Sequence, residues 1–190
     1  MVPPLPPAES RALQALGARR GPGSALAPAS IVSTLRRLGA ESPQLLALFD
    51  ARGIAGERHL LSAWAHLGRG RARGESRLRD RSAEFALYVA GDDQLPRALA
   101  KVGVAADTEE FVLVAERPRE PGPLLDAFEL VADPSVYPRP PTEAVLERLG
   151  ITAVERQVVP ASAWEGLVLE RVAFVELSAA SGGAPAKAKP

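Results

Sequence analysis

A helix predicted from about Arg81 to Ala90 carries Phe85, Ala86, Leu87, Tyr88 and Val89 in succession, so it is apolar around most of its circumference. Such a helix needs cover on more than one side. It is the middle member of three helical patterns that share residues 54–103. The first spans Glu57 to Leu67, and its stripe of Leu60, Ala63, Trp64 and Leu67 has the i, i+3, i+4, i+7 spacing of one helix face. Gly68 and Gly70 are expected to end it. Residues 69–81 then set Arg69, Arg71, Arg73, Arg77, Arg79 and Arg81 against Glu75 and Asp80 alone, which predicts an exposed, mobile connection. Gly91 stops the middle helix as its left-handed terminal residue. Asp92 or Asp93 caps the third, which tolerates Pro96 in its first turn and ends at Gly103.

The flanking segments supply strands and ends. Leu13–Leu16 predicts an edge strand stopped by Gly17, Ile31–Leu38 a short amphipathic helix closed by Gly39, and Leu45–Phe49 a buried strand. Glu110–Ala115, which includes Phe111, Val112, Leu113 and Val114, is the clearest strand, apolar on both alternating faces and so expected centrally in a sheet. A short helix is expected over Leu124–Leu130, an irregular crossing over 132–141, and a helix from Thr142 to Gly150. Thr152-x-x-Glu155 and Ser162-x-x-Glu165 match the capping box. The second introduces Trp164–Leu177, although VLERVAFVEL fits a strand equally well. A proline-rich leader over 1–9, a single domain over 10–177 and a disordered tail over 178–190 complete the expected organisation.

Lys and Arg together number 23, as do Asp and Glu, so any basic surface has to be local. With no cysteine, disulfides, thiolate nucleophiles and Cys-ligated zinc are excluded together. No stretch approaches eighteen consecutive apolar residues, and the expectation is a soluble, cytoplasmic protein without a membrane partner.

The two histidines, His59 and His66, are seven residues apart, which is roughly 10 Å along a helix axis and too far for one ion to bridge. No metal or other cofactor is therefore expected. The spacing places both imidazoles on one face with Ser62 between them, either edging a surface groove or simply sitting partly buried without a ligand. There is no G-x-S-x-G elbow and no G-x-x-x-x-G-K-[ST] phosphate loop, so catalysis has no visible nucleophile. The arginine run is first a charged surface. Arginine also binds phosphate bidentately and stacks on exposed bases, the two groups that a single-stranded RNA end offers.

The runs FDARGIAGERHLLSAWAHL, AEFALYVAGDDQLPRALAKVGV, FVLVAE, RLGIT and LVLERVAFVEL resemble, in order over roughly 44–177, the small regulatory subunit of the KEOPS complex, the TPRKB family. The matching positions are Asp50, Ile54, Gly56, His59, Leu60, Glu84, Gln94, Gly103, Val104, Glu170, Arg171 and Ala173. The resemblance implies an α/β fold, a small mixed sheet covered by helices, with the ambiguous C-terminal segment helical. It implies a non-catalytic subunit that binds the kinase-like ATPase subunit of KEOPS and the 3′ CCA acceptor end of tRNA. The complex installs threonylcarbamoyladenosine at position 37 of tRNA, and the transfer belongs to another subunit. Carried onto this chain, tRNA contact falls to His59, Ser62, His66, Arg69, Arg71, Arg73 and Arg77. Partner contact falls to Leu60, Trp64, Gln94, Arg97, Ala98 and Lys101. The alternative function is a protein-interaction module that regulates the kinase-like subunit without touching RNA.

Overall fold

The computed structural model describes residues 13–24, 26–41, 44–116 and 120–181. The leader expected over 1–9 and the tail from 182 onward lie outside the described residues. Residues 178–181, assigned to the tail above, continue the last helix.

Four strands form one sheet in the order β2-β3-β1-β4: β1 (Leu13–Arg20), β2 (Leu46–Asp50), β3 (Glu110–Glu116) and β4 (Leu130–Ala132). Every pairing is antiparallel, where a mixed sheet was expected. β3 lies inside the sheet between β2 and β1, as its two apolar faces require. Along it, side chains alternate between two cores. Val112 and Val114 join Ala47 and Phe49 on one face, while Phe111, Leu113 and Ala115 join Leu46 and Leu48 on the other.

Eight α-helices are found among the described residues, and they cover both faces. α1 (Pro28–Glu41) and α5 (Pro121–Ala127) close the second core, with Ile31, Leu124 and Leu125 pointing inward. The larger core is closed by α2 (Glu57–Ala72), α3 (Arg81–Ala90), α4 (Leu95–Val102), α6 (Glu143–Arg148) and α8 (Trp164–Ser181), with α7 (Ala153–Gln157) on the periphery. α3 is the interior helix: all seven residues from Glu84 to Ala90 are buried. Asp80 caps its start through the Ala83 amide, and Gly91 ends it at φ 60°.

Four glycines behave differently from expectation. β1 does not stop at Gly17 but runs through it and is flanked by β3 and β4 rather than lying at the edge. A β-carbon on Gly17 would lie 2.7 Å from the Asp133 carbonyl oxygen and the Tyr137 amide nitrogen, so glycine there lets the 133–137 turn cross the strand. α2 likewise continues through Gly68 and Gly70, and a β-carbon on buried Gly70 would meet the Tyr88 hydroxyl at 3.0 Å. Gly39 also falls inside α1 rather than ending it. The capping box at Thr152 forms in full, whereas a 3-10 turn over Ala161–Ala163 precedes α8 and Ser162 caps nothing.

Candidate functional site

The charged residues of 66–77 gather around two carboxylates. Glu176, on α8, takes the Nδ1–H of His66, the guanidinium of Arg73 and, at 3.4 Å, that of Arg69. Burial works to raise the Glu176 pKa, but the hydrogen bonds from Arg73 and His66 prevail and hold it below the usual carboxylate range. His66 stacks on Tyr88 at 6.3 Å between ring centroids. Its burial lowers its pKa in spite of Glu176.

Glu84, on α3, is the second carboxylate and is almost wholly enclosed. Arg71 lies 2.7 Å from it, Ser76 donates its hydroxyl at 2.9 Å and the Arg77 amide donates at 2.7 Å. The Arg77 side chain reaches α8, donating to the Val175 carbonyl at 3.0 Å and to Ser178 Oγ at 2.9 Å. The connection between α2 and α3 is thus only 73–80 and is tied to the fold at several points. Its guanidiniums are largely spoken for: Arg73 also pairs with Glu75 at 2.8 Å. Arg69 and Arg73 keep 44% of their side-chain surface, whereas Arg71 keeps 29%.

His59 does not edge a groove. It is fully buried, where its Nδ1 accepts the Ala55 amide at 3.1 Å and its Nε2–H donates to the Val89 carbonyl at 2.7 Å. Burial pushes its pKa down to about 4, so it is a neutral pin between the start of α2 and the end of α3. Ser62 lies half-buried on α2. Leu60, Trp64 and Ala98, assigned above to a partner surface, are core residues, because the apolar stripe of each helix is the face that packs inward. Trp64 meets Phe85 edge-on at 6.4 Å, and the Arg81 guanidinium lies 4.7 Å above the Trp64 ring.

The remaining partner residues do reach the surface. Gln94 and Arg97 are exposed on α4, and Lys101 is half-buried. Arg97 pairs with Asp92 and Asp93, both at 2.9 Å, and Lys101 with Asp92 at 3.1 Å. Asp92, Asp93, Arg97 and Lys101 open onto a concavity of about 470 Å³ between α4 and α8, which Arg171, Phe174, Val175 and Ser178 also line. Phe174 is 61% exposed, and helical periodicity alone does not reveal this because α8 is apolar along most of its length. α8 therefore joins the two regions: Val175, Glu176 and Ser178 hold the arginines, and Phe174 faces α4.

Sequence reasoning also gave no role to a cluster at the end of β2. Asp50 is completely buried and accepts Arg52 at 2.6 Å, Thr108 Oγ1 at 2.9 Å and Arg148 at 3.2 Å. Burial would raise its pKa, but the hydrogen bonds from Arg52 and Thr108 and the charge of Arg148 bring it below the ordinary value. The cluster ties β2, the loop before β3 and α6 together beside a cavity of about 460 Å³ lined by Arg52, Tyr137, Arg139 and Arg148. Among the described residues, no group of three His, Cys, Asp or Glu is placed to hold a metal ion, and no helix is long and apolar enough to cross a membrane. No family model matches the chain. No curated protein sequence matches it either.

Proposed function

We propose that the chain is a non-catalytic accessory subunit of a KEOPS-type complex, docking the kinase-like ATPase subunit on the surface shared by α4 and α8 and holding the tRNA acceptor end beside it. The observation that carries this is Phe174, a large aromatic left 61% exposed among the charges of Arg97, Lys101 and Arg171. Aromatic anchors ringed by polar residues are what a protein partner buries at the centre of an interface. The resemblance of 44–177 to the KEOPS regulatory subunit supports the same assignment, and the Arg171 that belongs to it lines this surface.

Of the arginines assigned to tRNA contact, Arg69 and Arg73 are the exposed pair with surface left for an RNA phosphate, and they sit on the same end of α2 that α8 covers. Docking without RNA contact is the second function, and one specific feature favours it: Arg71, Arg73 and Arg77 already have protein partners. The test is to express the full chain with the kinase-like subunit encoded in the same genome and to measure tRNA binding with and without the CCA end. Co-purification together with CCA-dependent tRNA binding supports the first function. Co-purification with tRNA affinity indifferent to the CCA end leaves docking alone. Failure to co-purify removes both.

A further inference from the structure

β2 is an edge strand, and its outer edge forms the wall of a groove. The Glu116 amide donates to the Leu45 carbonyl at 2.9 Å, which fixes the alternation: Leu45, Ala47 and Phe49 turn their peptide groups to β3, and Leu46 and Leu48 turn theirs away. The outward Leu46 amide is met by Ser82 Oγ at 3.2 Å. The outward N–H and C=O of Leu48 have no partner among the described residues. An apolar groove of about 490 Å³ runs along this edge, with Val32, Leu35 and Arg36 of α1 on one side and Ala83 and Ala86 of α3 with Leu99 of α4 on the other. Its two lips, Val32 and Leu99, are 47% and 49% exposed.

We infer that this groove binds an extended, acidic and apolar segment of a partner protein, added as a further strand beside β2. Strand addition satisfies the Leu48 N–H and C=O directly, at the 4.7–4.9 Å spacing that neighbouring strands keep. Side chains of the added strand alternate between the α1 wall and the α3–α4 wall, so apolar residues suit both of its faces. The acidic requirement is confined to the α1 side: Arg36, one helical turn from Val32, lines the groove there and has no carboxylate partner among the described residues, whereas on the opposite wall Asp80 caps α3 and Arg81 pairs with Glu116 at 2.7 Å. A second copy of this chain is the wrong shape for the site. Its own β2 is equally recessed between helices, so two such edges do not meet.

The site is separate from the α4–α8 surface, and its test is independent of the KEOPS assignment. A phage library of random octapeptides is selected on the full chain, and the enriched peptide is synthesised. Expected are alternating apolar residues with Asp or Glu, shifts and slowed exchange of the Leu46 and Leu48 amides, and at least tenfold weaker binding after N-methylation of alternate peptide nitrogens. Arg36→Glu and Val32→Asp, both surface changes, each weaken binding about tenfold. No enrichment, or binding that survives N-methylation or maps elsewhere, overturns the proposal. So does either rival occupant: a concentration-dependent dimer that protects the Leu48 amide, or protection in the free chain that removal of residues 1–12 abolishes.

Discussion

The guanidinium of Arg71 lies 2.7 Å from the carboxylate of Glu84, an ion pair whose acid is 1% exposed and whose base is 29% exposed. It joins the last turn of α2 to the first turn of α3. Glu84 also fixes Ser76 and the Arg77 amide, so the pair determines the path of the connection between the helices. Removing one partner of a buried pair leaves the other charge uncompensated, which costs about 3–5 kcal/mol. Arg71→Ala should therefore destabilise the chain by about 3 kcal/mol in urea unfolding. Arg73→Ala, which removes partly exposed pairs, should cost under about 1 kcal/mol. Equal losses in the two variants would mean that Glu84 is not the organising charge.

His59 makes stability depend on pH in a defined window. Its pKa falls from 6.5 to about 4 on folding, so the unfolded chain binds the additional proton between those values. The contribution is fully present above pH 6.5 and is lost as the pH falls toward 4, amounting to about 3 kcal/mol at the linkage rate of 1.36 kcal/mol per pH unit. His66, whose burial also lowers its pKa, adds in the same direction. Urea midpoints measured from pH 7 to pH 4.5 should fall steadily, and His59→Gln should have a lower midpoint at pH 7 but a shallower slope. An unchanged slope in the variant would show that His59 titrates normally.

The helices of 54–103 were legible because their apolar stripes and the terminal glycine of α3 obey local rules, although Gln94, without a side-chain cap, precedes α4 in place of the expected Asp92 or Asp93. The interior position of α3 follows from Phe85–Val89, its end from Gly91, and the central place of β3 from Phe111–Val114. What local rules missed was set by tertiary contact. Gly17 and Gly70 look like breakers in sequence, yet each is small because another part of the chain lies against it, the 133–137 turn and the Tyr88 hydroxyl respectively. β4 was hidden because it is three residues long and buries only Leu130. The site was less legible than the fold. Leu60, Trp64 and Ala98 were assigned to a partner face by the resemblance, yet their spacing is equally that of a core face, and a sequence does not say which side of a stripe is covered. The carboxylates that hold the arginines, Glu84 and Glu176, lie 92 residues apart and meet the same loop only through packing of α3 and α8.

Gly17 provides a direct check on the crossing at β1. A β-carbon there would sit 2.7 Å from two backbone atoms of the 133–137 turn, and backbone cannot yield as a side-chain tip does. Gly17→Ala should destabilise by about 1–3 kcal/mol, the usual cost of overpacking. Gly122→Ala, at a position with open space around it, should leave the thermal midpoint within about 2 °C. If Gly17→Ala is as stable as the parent chain, the turn does not cross the strand there.

Phe174 and Leu60 separate surface from core. Leu60→Ala removes a fully buried side chain and should cost about 2–5 kcal/mol, with loss of partner binding only through unfolding. Phe174→Asp changes an exposed side chain, so stability should stay within about 0.5 kcal/mol. Affinity for the kinase-like subunit, measured by calorimetry, should nevertheless fall at least tenfold, the effect of removing an aromatic anchor. Unchanged affinity in a folded Phe174→Asp protein would move the docking surface away from α8.

The salt dependence of tRNA binding distinguishes a phosphate contact from a solvated arginine. Each phosphate neutralised on a single strand contributes about 0.7 to the slope of log affinity against log salt. If Arg69 and Arg73 each hold one phosphate of the acceptor end, the double substitution to Ala should lower affinity and reduce the slope by about 1.4. The same substitution frees Glu176 from two of its three cationic or hydrogen-bonding partners, leaving His66, so the His66 imidazole should titrate at higher pH in the variant, as followed by its ring proton resonances. The two readouts report different events. A His66 shift with no change in the tRNA slope means that the guanidiniums serve Glu176 alone, which would place RNA contact elsewhere or leave the chain a docking module.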